Sequence, residues 1–290
     1  MKRIDFRDQI SRNKRNSFFL MLIVILVIVA LGYVISLAFE PGYFFVIMIF
    51  ASLFSIFYVL ISYYNSDKIA LASVGAREAK GEDYKEYHRL VEGLCIASGL
   101  PKPKLYVMDS EQINAFASGR NPANAVVCVT EGALEKLEKR ELEGVLAHEM
   151  GHVANYDIRY MTLVAVMVGM VSIISQLFLR SLWFDGEKND KGKMIFILIG
   201  VVLAIVAPIV VYFVQLSISR KREFSSDASA VMFTRNPRGL IGALKRIQSE
   251  HLEERKISKS VAPLFFSNPF KDAGKTHPSI ERRIDALERM

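Results

Sequence analysis

Four long apolar runs set the first constraint on this chain: Ser17–Phe39, Tyr43–Ser62, roughly Met161–Leu179 and Met194–Leu216. Each is close to the ~20 residues a helix needs to cross the hydrocarbon core of a bilayer. Glu40-Pro41-Gly42 joins the first two by a turn too short to hold a domain, so they form a helical hairpin. The second pair is joined by a charged loop, Arg180–Lys193, in which Trp183 and Phe184 suit a membrane interface. Pro208 inside the fourth run is tolerable in a membrane helix, where it can introduce a kink. These runs account for the 51% hydrophobic content of the 290 residues. The chain is therefore read as a multi-pass membrane protein with the lipid bilayer as its surroundings. Its divisions are 1–64, a terminal segment and first hairpin; 65–157, polar; 158–218, the second hairpin; and 219–290, polar again.

Charge sets the orientation. Lys2, Arg3, Arg7, Arg12, Lys14 and Arg15 precede the first run, and no small-residue cleavage site follows it, so it reads as an uncleaved anchor. The positive-inside rule puts the N-terminus in the cytosol and the Glu40–Gly42 turn outside. The chain returns at Asn65, so the polar segments are expected in the cytosol. The 161–216 hairpin either crosses or lies along the membrane, since its loop is rich in Lys and Arg. Either placement leaves 65–157 and 219–290 on one side. The net charge of +7 gathers beside the apolar runs, where anionic headgroups explain it, and no nucleic-acid partner is expected. Cys95 and Cys128 read as small buried hydrophobes in a reduced compartment. Nothing in the sequence sets an oligomeric state.

In the polar part, Asp67–Lys80 and Asp83–Ser98 have helical patterns, the second with Tyr87, Leu90, Val91, Leu94 and Cys95 on one face. Lys104–Met108, Ile113–Ser118 and Ala125–Thr130 are short, rich in Val, Tyr, Phe and Ile, and separated by turn residues. They predict a small, largely antiparallel sheet. A helix follows Thr130, then a break near Lys139-Arg140, then a strong helix from Glu141 to about Asn155. Residues 255–275 read as loop, and Pro278–Arg289 as a closing helix. The fold class is thus mainly α with a small sheet.

That strong helix carries His148-Glu149-Met150-Gly151-His152. Histidines four apart project from one helical face, so both imidazoles can reach one ion. Zinc suits imidazole, and three protein ligands leave a fourth position open. Glu149 follows the first ligand and can take a proton from the attacking water and return it to the leaving amine. The third ligand has to come from elsewhere. Just after the fourth run, Glu223 and Asp227 are again four apart on one face. Glu223 can ligate, and Asp227 can hold the outer ring nitrogen of a ligand histidine; the bland reading makes both solvated juxtamembrane charges. Asn114, Ala115, Phe116 and Ala117 read as an exposed edge strand that a peptide can join by strand addition, or as an ordinary strand with Phe116 in the core. His277 either stabilises the oxyanion of the tetrahedral intermediate or starts a helix. His88 and His251 fall in charged stretches and read as solvated.

The order of these pieces resembles the HtpX-type membrane zinc metallopeptidases, relatives of the CAAX prenyl protease. The matching residues are Asn114 to Gly119, His148 to His152, Arg222-Glu223-Phe224 with Asp227 and Ala230, and Thr276-His277-Pro278-Ser279 with Arg283 and Ile284. The resemblance implies one Zn2+ on His148, His152 and Glu223, catalysis by Glu149, and a gluzincin fold split between 65–157 and 219–290. It also implies quality control of membrane or misfolded proteins at the plasma membrane of a prokaryote. Family members often carry Tyr and Ala after the glutamate, where this chain has Phe224 and Ser225. The rival reading is a non-catalytic, zinc-stabilised membrane adaptor; a lost general base would be its mark, and Glu149 is present. Prenyl-peptide processing is a weaker third, because that relative usually carries more membrane helices.

Overall fold

The computed structural model describes residues 6–36, 41–165, 200, 220–250, 264–266 and 278–290. Most of the expected 161–216 hairpin, its Arg180–Lys193 loop, His251 and His277 lie outside the described residues.

Helices α1 (Phe6–Ser36) and α2 (Phe44–Tyr64) form the first hairpin. Two stretches, Ile10–Tyr33 and Pro41–Tyr64, are long and apolar enough to cross a membrane. Gly32 lets the helices close: a Cβ there would stand 2.3 Å from Ala51 Cβ. The outward face of α2 is strongly apolar, with Phe45 at 73% and Phe50 at 74% exposure. Water makes such a surface costly and lipid does not.

Helix α3 (Ser66–Ser73) is shorter than the Asp67–Lys80 pattern predicts. Gly75 takes φ +63° and turns the chain, so Arg77–Glu78 becomes strand β1. Helix α4 (Lys85–Ser98) ends at Gly99 in the left-handed conformation. His88, expected to be solvated, places Nε2 2.7 Å from the Ala79 carbonyl and is half-buried.

Strands β2 (Lys104–Met108), β3 (Ala115–Gly119) and β4 (Ala125–Thr130) join β1 in a sheet of order β1-β2-β4-β3. The sheet is mixed, a correction to the antiparallel expectation. β2 and β4 run parallel, while β1 with β2 and β3 with β4 run antiparallel. Residues 109–114 carry the chain past β4, so β3 forms an outer hairpin strand instead of filling the gap beside β2. Leu105, Val107, Ala115, Ala117, Val127 and Val129 enter the main core, whereas Met108, Phe116, Val126 and Cys128 pack on the opposite face with α3 residues and Met161. The period of two thus serves two buried faces. Cys95 and Cys128 are free thiols.

Thr130 caps α5 (Glu131–Lys136), its Oγ1 accepting from the Ala133 N–H. Helix α6 (Lys139–Ala154) starts where Glu141 Oε2 accepts the Glu138 N–H. It lies against β3 on one side and against α7 (Arg220–Thr234) and α8 (Pro237–Ser249) on another. Two glycines seven residues apart permit that approach. A Cβ on Gly144 would meet Leu240 N at 2.5 Å, and one on Gly151 would meet Ser226 Cα at 3.1 Å. After α6 the chain turns at Tyr156, φ 58°, into a helical stretch over 157–165. Tyr160, Leu163 and Val164 of that stretch pack on Leu20, Val24 and Val59 of the hairpin. Helix α9 (Ile280–Leu287) closes the described chain against α7 and α8.

Candidate metal centre

One face of α6 carries His148, Glu149 and His152, and the first turn of α7 carries Glu223. All four are at most 5% exposed. His148 Nε2 and His152 Nε2 stand 3.2 Å apart. Glu223 Oε2 lies 3.7 Å from the first and Oε1 3.6 Å from the second. A tetrahedral ion with bonds of ~2.0–2.1 Å spaces its ligand atoms about 3.3 Å apart. The three groups therefore converge as ligands of one divalent ion would, and they are the metal-binding cluster among the described residues.

Beside them, Glu149 accepts the Ala117 backbone N–H, and its Oε1 is buried with no hydrogen-bond partner among the described residues. A buried carboxylate oxygen without a donor is costly unless a ligand or water completes it. Burial, with the Glu223 charge adding to it, raises the Glu149 pKa to about 7, which suits a group that takes and returns a proton near neutrality.

The outer ring nitrogens are held too. His148 Nδ1 lies 2.8 Å from Asp227 Oδ1. Arg283 from α9 clamps that carboxylate in a fork, Nε to Oδ2 at 3.0 Å and Nη2 to Oδ1 at 2.7 Å. The same guanidinium stands 4.6 Å from the Phe266 ring centroid, and that ring meets His148 edge-on at 4.9 Å. His152 Nδ1 reaches Asp157 Oδ2 at 3.1 Å and Ser226 Oγ at 2.9 Å. Burial and then the Arg283 charge lower the His148 pKa to about 4, against the pull of Asp227. Burial works the same way on His152, but the Asp157 hydrogen bond and the Glu223, Asp157 and Glu149 charges outweigh it, raising its pKa to about 9. Burial also opposes the charge on Asp227, yet Arg283 and His148 hold its pKa low.

Sequence reasoning singled out Asp227 but missed Asp157, Ser226 and the role of Arg283. Asp157 follows His152 by five residues, and only the left-handed turn at Tyr156 brings it under the ring.

The expected exposed edge strand needs correcting. β3 is an edge strand of the four, but Asn114, Ala115, Phe116 and Ala117 are all buried. Three of its outer backbone groups are taken by the chain itself. Asn114 Oδ1 accepts the Ala115 N–H at 3.0 Å, the Phe266 N–H donates to the Ala115 carbonyl at 2.8 Å, and Glu149 takes the Ala117 N–H. Phe265 lies opposite Phe116 across this edge, their rings 5.2 Å apart.

A family model described as peptidase family M48 matches residues 81–290, which contain every residue of this centre. The chain belongs to peptidase family M48. It is 41% identical over 287 residues to a protein named protease HtpX homolog from Thermoanaerobacter pseudethanolicus, covering 96% of this chain and 95% of that one. A protein of the same name from Dictyoglomus thermophilum is 39% identical over 294 residues, covering 100% and 96%. The crystal structure of S. mikatae Ste24p superposes with a TM-score of 0.49 at 19% identity, covering 97% of this chain and 66% of that one. This M48 member is a membrane metalloprotease that hydrolyses peptide bonds, and His148, His152 and Glu223 form a group able to hold its metal.

Proposed function

We propose that the chain is a zinc-dependent endopeptidase working at the cytosolic surface of a prokaryotic plasma membrane, where it removes misfolded or membrane-embedded proteins. The observation that carries the chemistry is the convergence of His148 Nε2, His152 Nε2 and Glu223 beside Glu149 Oε1, which has no hydrogen-bond partner among the described residues. Two imidazoles and a carboxylate suit zinc. When bound, the ion supplies a Lewis acid for the scissile carbonyl and favours deprotonation of water. Glu149, positioned by Ala117, takes the proton of the attacking water and returns it to the leaving amine. Asp227 and Asp157 keep the two rings facing inward with Nε2 free to ligate. In this reading a substrate strand pairs along Asn114–Ala117 by displacing Phe266 from the Ala115 carbonyl, and His277 stabilises the oxyanion. The surface location follows from chain order: His152 closely precedes the third apolar run and Glu223 closely follows the fourth. Six basic residues before the first run support the cytosolic side.

The test compares wild type with Glu149→Gln, both purified in detergent with chelator and then given zinc and unfolded casein. Wild type is expected to cleave only with zinc, and the variant to bind zinc while losing about 10²–10⁴-fold in rate. Equal cleavage by both would remove Glu149 from the chemistry. Failure of the wild type to bind zinc would remove the metal assignment.

A further inference from the structure

Asn13 stands on α1 among the basic residues that precede the first apolar run, and is 1% exposed. Its amide nitrogen has two protons, and the structure provides two acceptors. One is the Asn155 carbonyl at 3.0 Å, at the end of α6. The other is Asp157 Oδ1 at 2.6 Å. The other oxygen of that carboxylate, Oδ2, is the one that His152 Nδ1 reaches at 3.1 Å. The bond to Asn155 could serve helix docking alone. The bond to Asp157 goes further, because it fixes the carboxylate plane that in turn fixes the His152 ring. Lys14, next along, lies 4.4 Å from the Tyr156 ring centroid and docks the same turn of α1.

We propose that Asn13 is a positioning residue for the metal ligand His152, acting through Asp157, so that the seating of the first membrane helix is felt at the metal. The proposal rests on the reading of His148, His152 and Glu223 as a zinc site. It makes α1 part of the peptidase machinery as well as an anchor. Outer hydrogen-bond partners of ligand histidines commonly govern metal affinity by about 10–100-fold. Asn13 acts one bond further out, so its removal is expected near the lower end of that range.

The experiment uses the full chain in detergent and measures zinc affinity by chelator competition, together with the visible spectrum of the cobalt-substituted protein. Asn13→Ala is expected to weaken zinc binding about ten-fold, to alter the cobalt bands, and to lower kcat on casein with KM unchanged. Ser17→Ala is the control: among the described residues Ser17 Oγ donates only to the Asn13 carbonyl within α1, so the variant should leave all three readouts alone. In an Asp157→Asn background, Asn13→Ala should add no further loss of affinity. Asn13→Leu keeps the side-chain shape without the donor and replaces Asn13→Ala if that variant does not fold; Asn13→Gln, which keeps the donor, should restore part of the affinity. Wild-type zinc affinity and cobalt spectrum in the donor-less variant would overturn the proposal, as would losses that simply add to those of Asp157→Asn. A wild type that binds no zinc would overturn it together with the zinc reading, which separates the two failures.

Discussion

His148 and His152 stand one helical turn apart, but different regions of the chain hold them. On the His148 side the brace comes from the C-terminal part, Asp227 on α7 clamped by Arg283 on α9. It is buried and doubly hydrogen-bonded. On the His152 side the brace is Asp157, five residues on, helped by Ser226 and in contact with the membrane helix α1. The charge balance differs accordingly. With the Arg283 cation nearby, His148 resists protonation; with several carboxylates and no such clamp, His152 favours it. One flank is therefore a forked ion pair, and the other a group of carboxylates that the buried Arg222 offsets only in part.

The largest effect should come from breaking the first flank. Asp227→Ala removes the forked partner of the buried Arg283 and leaves it only the 3.7 Å approach of Glu223, at a cost of about 3–5 kcal/mol in folding stability. Denaturant unfolding of the zinc-free protein should show that loss; an unchanged midpoint would mean the clamp is not structural. On the second flank, Asp157→Asn should mainly weaken zinc affinity, by about 10–100-fold, with a smaller loss of stability. If chelator competition shows equal losses for both variants, the contrast between the flanks fails.

The pH dependence of the chelated protein sharpens the same contrast. His152 has its pKa raised from 6.5 to about 9, so its contribution to stability is fully present below 6.5 and lost as pH rises through about 9. His148 has its pKa lowered to about 4, so its contribution is present above 6.5 and lost as pH falls through about 4. Tm should therefore decline from near neutrality toward pH 9, and Asp157→Asn should flatten that alkaline limb while sparing the acid one. Smallest of all is Ser226→Ala. Asp157 still satisfies His152 Nδ1, so the loss should stay within about 1 kcal/mol and zinc affinity should barely move.

How much of this was legible in the sequence follows from distance along the chain. The two histidines and Glu149 were readable because a helix converts spacing into a shared face, and the same rule joined Glu223 to Asp227. Nothing local announces that a tyrosine will take φ 58° and fold Asp157 beneath His152. Arg283 lies 135 residues from His148, and its charge looked like one among many on a polar helix. The strands themselves were visible at Lys104–Met108 and Ala125–Thr130, but periodicity reports which residues face which side and not which strand lies alongside. Hence the parallel pairing of β2 with β4 went unseen. Asn13 sat in a basic segment whose composition already had a topological explanation.

The seal on β3 has a thermodynamic consequence. An extended peptide joining this edge at Ala115 does not gain a new backbone hydrogen bond there, because it displaces the one Phe266 already makes. The exchange is close to neutral in hydrogen-bond energy. The displaced segment is tethered to the same molecule and so competes at high local concentration. Discrimination at that position therefore rests on side chains: an incoming residue must replace the Phe265 contact with Phe116 and the Phe266 contacts with His148 and Arg283.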